Sequence, residues 1–535
     1  MGLRWQFVAV AAATLAGCGP AEPPRLVVVV VVDQMRADFM TRFGPRFEAG
    51  LARASAEGAV YANAHWGHAP TLTAPAHASL ATATHPGRHG IVGNSWFDRA
   101  AQAPRAAVTD PIATIAGDPA SPGGSPANLL RDTLGDWLKR STPGSKVYAV
   151  ALKDRASIMM GGRRADGVFW YQPGMRRFVT STHYPSEYSR WVDEFTESPE
   201  ISPLLVTPWT LLRPEAAYDL SSEDDFPGEA GGVDTTFPHD FERPGPPGTL
   251  PASPFADELT LRFAMKLIAS EGLGADAVPD LLWIGASAAD EIGHLYGPDS
   301  REIQDYYLRL DVMLGELLEF LDEHVGRGRH VLALSSDHGV AALPEELARR
   351  GTLAQRIDFD AFMADVVRAA RRAHAELGIA PLVPMTYYSG LVLDSRAVPA
   401  EALVGLRRAL AVELREVEFV EDAYTYDELQ EARPPDRPYL EMYRRGFHPD
   451  RSPDVLLRFK PNYLLDDGGP TATTHGSPYA YDTHVPLIFA GPGVRRGRFE
   501  EAVSPLDMAP TLARLLGIEP PEDLDGRPLV HALTK

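Results

Sequence analysis

The chain has 535 residues, too many for one small domain. Its 44% hydrophobic and 23% charged residues are those of a globular protein with a large core, which excludes a disordered chain. Its 51 Lys and Arg against 72 Asp and Glu leave a formal charge of −21, which argues against nucleic-acid wrapping but leaves room for one local cationic pocket.

The single cysteine excludes an internal disulfide framework and a thiolate metal cage, and its position is informative. The chain opens with basic Arg4, an apolar run from Trp5 to Ala16, and the small-residue site Leu15-Ala16-Gly17-Cys18. That order is a secretory signal. Leu-Ala-Gly-Cys also resembles the bacterial lipoprotein box. The resemblance implies a signal peptide over residues 1–17, cleavage before Cys18 and a diacylglyceryl thioether on its sulfur. Residues 18–25 become the lipidated cysteine and a Pro-rich tether. Gly19 stands where Asp would signal inner-membrane retention, so the expected location is the periplasm or cell surface, anchored to the outer membrane. The lipid is the only membrane contact expected, since no later stretch reaches the ~18 apolar residues of a span.

Leu26 to Val32 is a continuous β-branched run ending at Asp33, a strand buried on both faces. Phe43, Phe47 and Leu51 have helical spacing, and a short strand is expected near Val60 and Tyr61. Residues 128–140 are predicted helical, with Leu129, Leu130, Leu134 and Trp137 on one face. Lys146 to Leu152 is a strand ending at Lys153. Periodicity is weak from 155 to 254, and Phe237 to Pro254 is read as a Pro- and Gly-rich surface linker. Phe255, Leu259, Phe263 and Leu267 mark a helix, Asp280 to Ala286 a strand, 301–325 a long helix, and His330 to Leu334 another strand. The alternation predicts an α/β fold with a mostly parallel central sheet flanked by helices. Two insertions are expected, about 156–254 and 343–465, the second with helices near 358–376 and 399–415. Pro486 to Ala490 returns to the sheet, and Pro505 to Leu516 is a last helix.

Asp33, Lys153, Asp290 and Asp337 follow predicted strands. Ligands of open α/β sheets bind beyond the carboxyl ends of strands, so these groups share one edge. Asp290-Glu-Ile-Gly-His294 places an Asp and a His four apart, read here as a turn. Ser336-Asp337-His338-Gly339 supplies an adjacent pair, and Thr474-His475-Gly476 a His in a Gly-flanked loop. Oxygen and nitrogen ligands without thiolate suit Zn²⁺, and also Mn²⁺ or Fe²⁺. Two such clusters suit a two-metal clamp for phosphoryl transfer.

Ordered along residues 26–530, these pieces resemble the alkaline phosphatase superfamily. Within it they resemble the phosphate-irrepressible alkaline phosphatases, close to the nucleotide pyrophosphatase/phosphodiesterases. The motifs are Val31-Val32-Asp33-Gln34-Met35-Arg36, Pro70-Thr-Leu-Thr73-Ala-Pro-Ala-His77, His89-Gly-Ile-Val-Gly-Asn94, Leu152-Lys153-Asp154-Arg155, Asp290-x-x-Gly-His294, Asp337-His338-Gly339 and Thr474-His475-Gly476. The tail, Pro505-Leu-Asp-Met-Ala-Pro with Leu524-Asp-Gly-Arg527, also matches.

The resemblance implies an alkaline-phosphatase-like catalytic domain over 26–535 holding two Zn²⁺. One ion is expected on Asp290, His294 and His475. The other is expected on Asp33, Asp337 and His338, beside Thr73. Thr73 is then the nucleophile, activated by metal coordination, and hydrolysis proceeds through a phosphothreonine. Two Zn²⁺ balance three aspartates and the alkoxide, so the charges of Lys153 and Arg155 match a monoester dianion. Alternation along an extended segment puts residues 153 and 155 on one side, and Asn94 donates to another phosphate oxygen.

Thr73 can also serve as a helix N-cap, because Ala74-Pro75 fits a helix start, and both roles can hold since a helix N-terminus favours an anionic oxygen. Thr71 competes for the nucleophile role, and His484 with His475. His77, His85 and His89 are expected to fix the helix and its loop. The expected substrates are small-molecule phosphate monoesters, with no nucleic-acid partner. A phosphodiesterase is the alternative; it shares the metal ligands and threonine but has no need of Lys153 and Arg155. A sulfatase is excluded because its formylglycine derives from Cys or Ser, and a surface lipoprotein that only binds phosphate compounds is the non-catalytic rival.

Overall fold

The computed structural model describes residues 23–185, 189–240, 249–378, 385–387, 390–394, 396–433, 435–466 and 468–534. The signal peptide and Cys18 lie outside the described residues. No described helix is long and apolar enough to cross a membrane.

Nine strands form the central sheet: β1 (Leu26–Val32), β2 (Ala59–His65), β3 (Val147–Ala151), β4 (Gly167–Gln172), β5 (Arg177–Val179), β6 (Asp280–Ala286), β7 (His330–Ser335), β8 (His484–Ala490) and β9 (Gly497–Phe499). Their order is β9-β2-β8-β7-β1-β6-β3-β4-β5. β1 lies in the middle, parallel to β6 and β7, with Val30 level with Ile284 and Leu334. β8 is antiparallel to both of its neighbours, and β5 is antiparallel to β4.

Every β1 side chain is buried, because strand alternation sends each to one of two covered faces. Leu26, Val28, Val30 and Val32 join one core, and Val27, Val29 and Val31 the other. Burying each Val is worth about 1.5–3 kcal/mol, which holds β1 in the sheet that carries Asp33 at its edge. Helices α1 (Gly50–Glu57), α2 (Thr73–Thr82), α3 (Leu134–Ser141), α4 (Asp154–Gly161), α5 (Pro254–Glu271), α6 (Ala288–Tyr296), α7 (Arg301–Leu321) and α8 (Met508–Leu515) flank the sheet. α1, α5, α6 and α7 contribute to the first core, and α2, α3, α4 and α8 to the second.

Residues 355–466 contain a four-stranded antiparallel sheet and the helices Phe359–Leu377 and Ala400–Arg415, around a third core. Four local readings change. The helix expected over 128–140 starts only at Leu134, where Thr133 and Asp136 form a reciprocal capping box. The weakly patterned 156–254 stretch includes β4 and β5 on the sheet edge. The linker read over 237–254 is partly interior, since His239 is buried. Two hairpins between residues 95 and 124 had no recognised period-2 signal; the second has an irregular register.

Candidate metal centre

Asp33 immediately follows β1, and its backbone N–H donates to Ala286 O. Asp337 lies two residues beyond β7. Asp290 and His294 sit on α6, a helix where the sequence suggested a turn, so their i,i+4 spacing puts them on one face. His294 Nε2 is 3.2 Å from Asp290 Oδ1, and His475 Nε2 is 3.7 Å from the same oxygen. His338 Nε2 lies 3.3 Å from Asp337 Oδ2 and 3.6 Å from Asp33 Oδ1. The His338 and His475 rings stack with centroids 3.5 Å apart. His484 lies elsewhere, stacked on His65 with Nε2 2.9 Å from Ala62 O.

The second ring nitrogens decide what the first ones can do. His294 Nδ1 is 2.7 Å from Thr473 O, His475 Nδ1 is 2.8 Å from Thr71 O, and His338 Nδ1 is 3.0 Å from Gly339 O. A carbonyl oxygen only accepts, so each Nδ1 carries a proton and each Nε2 is turned to the carboxylates, where a neutral ring presents a lone pair; burial opposes the charge of His294, but Asp290 outweighs it and raises its pKa. Those lone pairs converge on carboxylates. Asp33 Oδ1, Asp337 Oδ2 and His338 Nε2 are buried and make no hydrogen bond, so three acceptors face one another. A proton held by Asp33 or a bound cation satisfies such a set, and its N/O chemistry fits divalent metal ions. The ligand atoms of Asp290, His294 and His475 lie within 4.8 Å of one another, as do those of Asp33, Asp290 and His338, so Asp290 is common to both groups.

Lys153 departs from the sequence expectation. Its ammonium does not stand clear for a phosphate: it bonds Asp33 Oδ2 at 2.8 Å and also Asp290 Oδ2, with Glu291 3.7 Å away. The expected alternation of residues 153 and 155 also fails, because α4 begins at Asp154 and residues two apart on a helix do not share a face. Arg155 Nε is nonetheless buried without a hydrogen-bond partner, and the charge of Arg155 is felt at Lys153.

Burial raises the Asp33 carboxyl well above its usual range, helped by Asp290 and Asp337. Burial also works against ionised Asp290, but Lys153 and His294 outweigh it and hold its carboxyl well below. Lys153 is raised, its burial outweighed by Asp290 and Asp33. Burial and the neighbouring His338 push His475 well below the ordinary imidazole value, so it is a neutral donor.

Thr73 is buried at the first residue of α2. It is not the N-cap, which is Leu72, and no side chain caps there. Thr71 Oγ1 donates to Ser477 O at 3.1 Å, whereas among the described residues Thr73 Oγ1 makes no hydrogen bond. Asn94 Oδ1 accepts from Ala74 N at 2.8 Å, which places the amide beside the helix start and leaves its NH₂ to donate elsewhere. His77 Nδ1 lies 2.9 Å from Thr73 O and 3.3 Å from Asp337 Oδ2, tying the two together. His89 Nε2 lies 2.9 Å from Ser79 Oγ within the same helix–loop unit.

Sequence reasoning missed three supporting residues. Gln34 follows Asp33 at φ 64° and donates from Nε2 to Asp290 Oδ1 at 2.6 Å, while its N–H donates to Asp337 Oδ1 at 3.1 Å. A Cβ on Gly293 would fall 1.8 Å from Gln34 Oε1, which explains the glycine inside the Asp290–His294 motif. Asp257 of α5 accepts from Ala288 N at 3.0 Å and Tyr306 Oη at 2.8 Å, anchoring the start of α6. Asp482 Oδ2 accepts from Ser477 N and Oγ at 2.7 and 2.6 Å, and its carbonyl accepts from Gly339 N at 2.8 Å. One residue thus links the loops carrying His475 and His338. A Cβ on Gly339 would fall 2.1 Å from Tyr481 O, so that loop also requires glycine. The only sequence signal for Asp482 was its place at the end of the Thr474-His475-Gly476 segment.

Residues 27–478 match the family described as type I phosphodiesterase / nucleotide pyrophosphatase. The chain belongs to this family. It is 32% identical over 526 residues to the alkaline phosphatase PafA of Elizabethkingia meningoseptica, covering 95% of this chain and 94% of that protein. It is 31% identical over 527 residues to the alkaline phosphatase PhoV of Synechococcus elongatus, covering 95% and 93%. The crystal structure of wild-type PafA superposes with a TM-score of 0.88 at 30% identity, covering 96% of this chain and 100% of that one. The α/β fold expected from the sequence is therefore the observed one, and the chain is a hydrolase of the alkaline phosphatase/phosphodiesterase superfamily.

Proposed function

We propose that the protein is a two-zinc alkaline phosphatase that hydrolyses small phosphate monoesters through a phosphothreonine at Thr73. The observation that carries this reading is the convergence of three imidazole lone pairs on buried Asp33, Asp290 and Asp337, next to a helix start bearing an unengaged threonine hydroxyl. Asp290, His294 and His475 would hold one ion, and Asp33, Asp337 and His338 the other, with Asp290 within reach of both. Bound zinc would supply Lewis-acid stabilisation of the developing negative charge and favour ionisation of the attacking hydroxyl. Thr73 Oγ1 forms the new bond to phosphorus as the ester P–O bond breaks in line, and the leaving oxygen departs with a proton. Water then cleaves the phosphothreonine, returning the hydroxyl and releasing phosphate. Asn94 donates its NH₂ to a phosphoryl oxygen, and the Lys153 and Arg155 charges offset the dianion.

The N-terminal pattern supports a periplasmic or surface location with a lipid anchor at Cys18. A diesterase is the second reading, favoured by the match of residues 27–478 to the type I phosphodiesterase / nucleotide pyrophosphatase family. The test compares kcat/KM for p-nitrophenyl phosphate and its methyl diester, using the zinc-loaded mature chain and Lys153→Ala. Monoester preference that shrinks in the variant supports the phosphatase. Diester preference indifferent to the variant supports the other branch. Thr73→Ala should lower turnover of the preferred substrate at least about a thousandfold.

A further inference from the structure

A cleft of about 580 Å³ opens beside the metal centre, between the central sheet and the unit spanning residues 355–466. His294 and His475 lie on its floor, and Phe359, Phe459, Tyr463 and Tyr479 contribute to its walls. The two sides are bonded together. Asn462 N donates to Tyr481 Oη at 3.3 Å, Tyr479 Oη donates to Phe459 O at 2.7 Å, and Arg458 Nη1 donates to Tyr479 Oη at 3.2 Å. The aromatic wall is therefore held directly by the segment that carries His475.

Lys460 also lines this cleft. It is half-buried and follows the strand Val455–Phe459, with its backbone N–H on Phe419 O at 3.0 Å. Among the described residues its ammonium has no carboxylate partner, which sets it apart from Lys139, Lys146 and Lys153, whose ammonium groups all bond oxygens. The acids that share the cleft are committed elsewhere: Asp482 to Ser477, and Glu291 facing Lys153. An unpaired cation on an aromatic wall is suited to an anion carried by a flat ligand.

We infer that this cleft is the leaving-group subsite, and that Lys460 selects esters whose aromatic leaving group carries its own anionic substituent. The inference rests on the phosphoesterase reading. His77 ties the Thr73 backbone to Asp337, which belongs to one candidate ligand group, whereas His294 and His475, on the cleft floor, belong to the other. In-line displacement directs the leaving oxygen away from the nucleophile. It therefore emerges over the cleft floor, and whatever it carries enters the aromatic walls.

Phenyl phosphate and 3-carboxyphenyl phosphate test this, because the meta carboxylate hardly changes the leaving-group acidity. The zinc-loaded enzyme should favour the carboxylated ester by about five- to tenfold in kcat/KM, the scale of one charge-assisted contact. Lys460→Met should bring that ratio to about one, and Lys460→Arg should restore most of it. The ratio is insensitive to any loss of active protein. A wild-type ratio near one, or a ratio unchanged in Lys460→Met, overturns the assignment. If neither ester is hydrolysed, the phosphatase reading fails, and titration calorimetry of the released acid decides the subsite separately. Tighter binding of 3-hydroxybenzoate than of phenol, lost in Lys460→Met, supports it; equal binding overturns it.

Discussion

Two clusters in this molecule set three acids against histidine, with three imidazoles in one and a single imidazole in the other. One contains Asp33, Asp290 and Asp337 with His294, His338 and His475. The other packs Asp234, Glu302 and Glu229 near His239. His239 turns both nitrogens to acids, Nδ1 to Asp234 Oδ2 at 3.0 Å and Nε2 to Glu302 Oε1 at 2.9 Å. Burial opposes its charge, but those two hydrogen bonds outweigh it and push its pKa up to about 9. His239 is its own cluster's cation and has no lone pair to give. In the first cluster the backbone takes each Nδ1–H, so each Nε2 is turned to the carboxylates and can ligate whenever its ring is neutral. Composition does not make a metal site; the partner of the second nitrogen does.

The sharpest break of this comparison removes one histidine from each cluster. His475→Ala should lose about one equivalent of zinc and at least about a thousandfold in activity. His239→Ala should leave zinc stoichiometry unchanged when both are measured by metal analysis. Zinc loss from His239→Ala alone would remove the distinction. Asp482→Ala should act one step back from the ligands. It should weaken zinc retention about 10–100-fold against a competing chelator, because the loops of His475 and His338 lose their shared link. Asp257→Ala should do the same more weakly, through α6 alone.

On stability, His239→Ala should cost about 3–5 kcal/mol in denaturant unfolding, since it removes the cation that faces buried Asp234 and Glu302. The charge of His239 also sets a pH dependence. Its folded pKa is above its ordinary 6.5, so its stabilisation is complete below about pH 6.5 and is lost as pH rises through about 9. Burial, with repulsion from Glu302, raises Glu229 to about 10, so keeping it buried becomes costlier over the same alkaline range. The melting temperature should therefore fall between pH 7 and 10, and fall less in His239→Ala.

The two clusters also differ in how far they could be read in advance. All six ligand candidates of the first were legible, because each stands at a strand end or in a short glycine-bearing motif. The second was read as a surface linker around His239, since a Pro- and Gly-rich stretch gives no sign of burial. Local geometry was harder still. Lys153 and Arg155 were identified as cations, but the extended spacing assigned to them is a helix start. Thr73 was a possible cap, yet Leu72 holds that position. Residue type alone did not announce the roles of Gln34, Asp257 or Asp482, because Gln34 acts on Asp290 and Asp337, Asp257 on Ala288 and Tyr306, and Asp482 on Gly339 as well as nearby Ser477.

The sequence by itself determined the α/β alternation, the buried β1 strand and the chemical types at the sheet edge, because periodicity and residue chemistry are local properties. Tertiary structure alone decided which nitrogen of each histidine faces the carboxylates, that Lys153 bridges Asp33 and Asp290, and that the unit around residues 355–466 closes an aromatic cleft over His294 and His475. The pairing of His475 with Thr71, of His294 with Thr473 and of Lys153 with Asp33 and Asp290 joins segments more than a hundred residues apart, where only packing and hydrogen-bond geometry choose the partner.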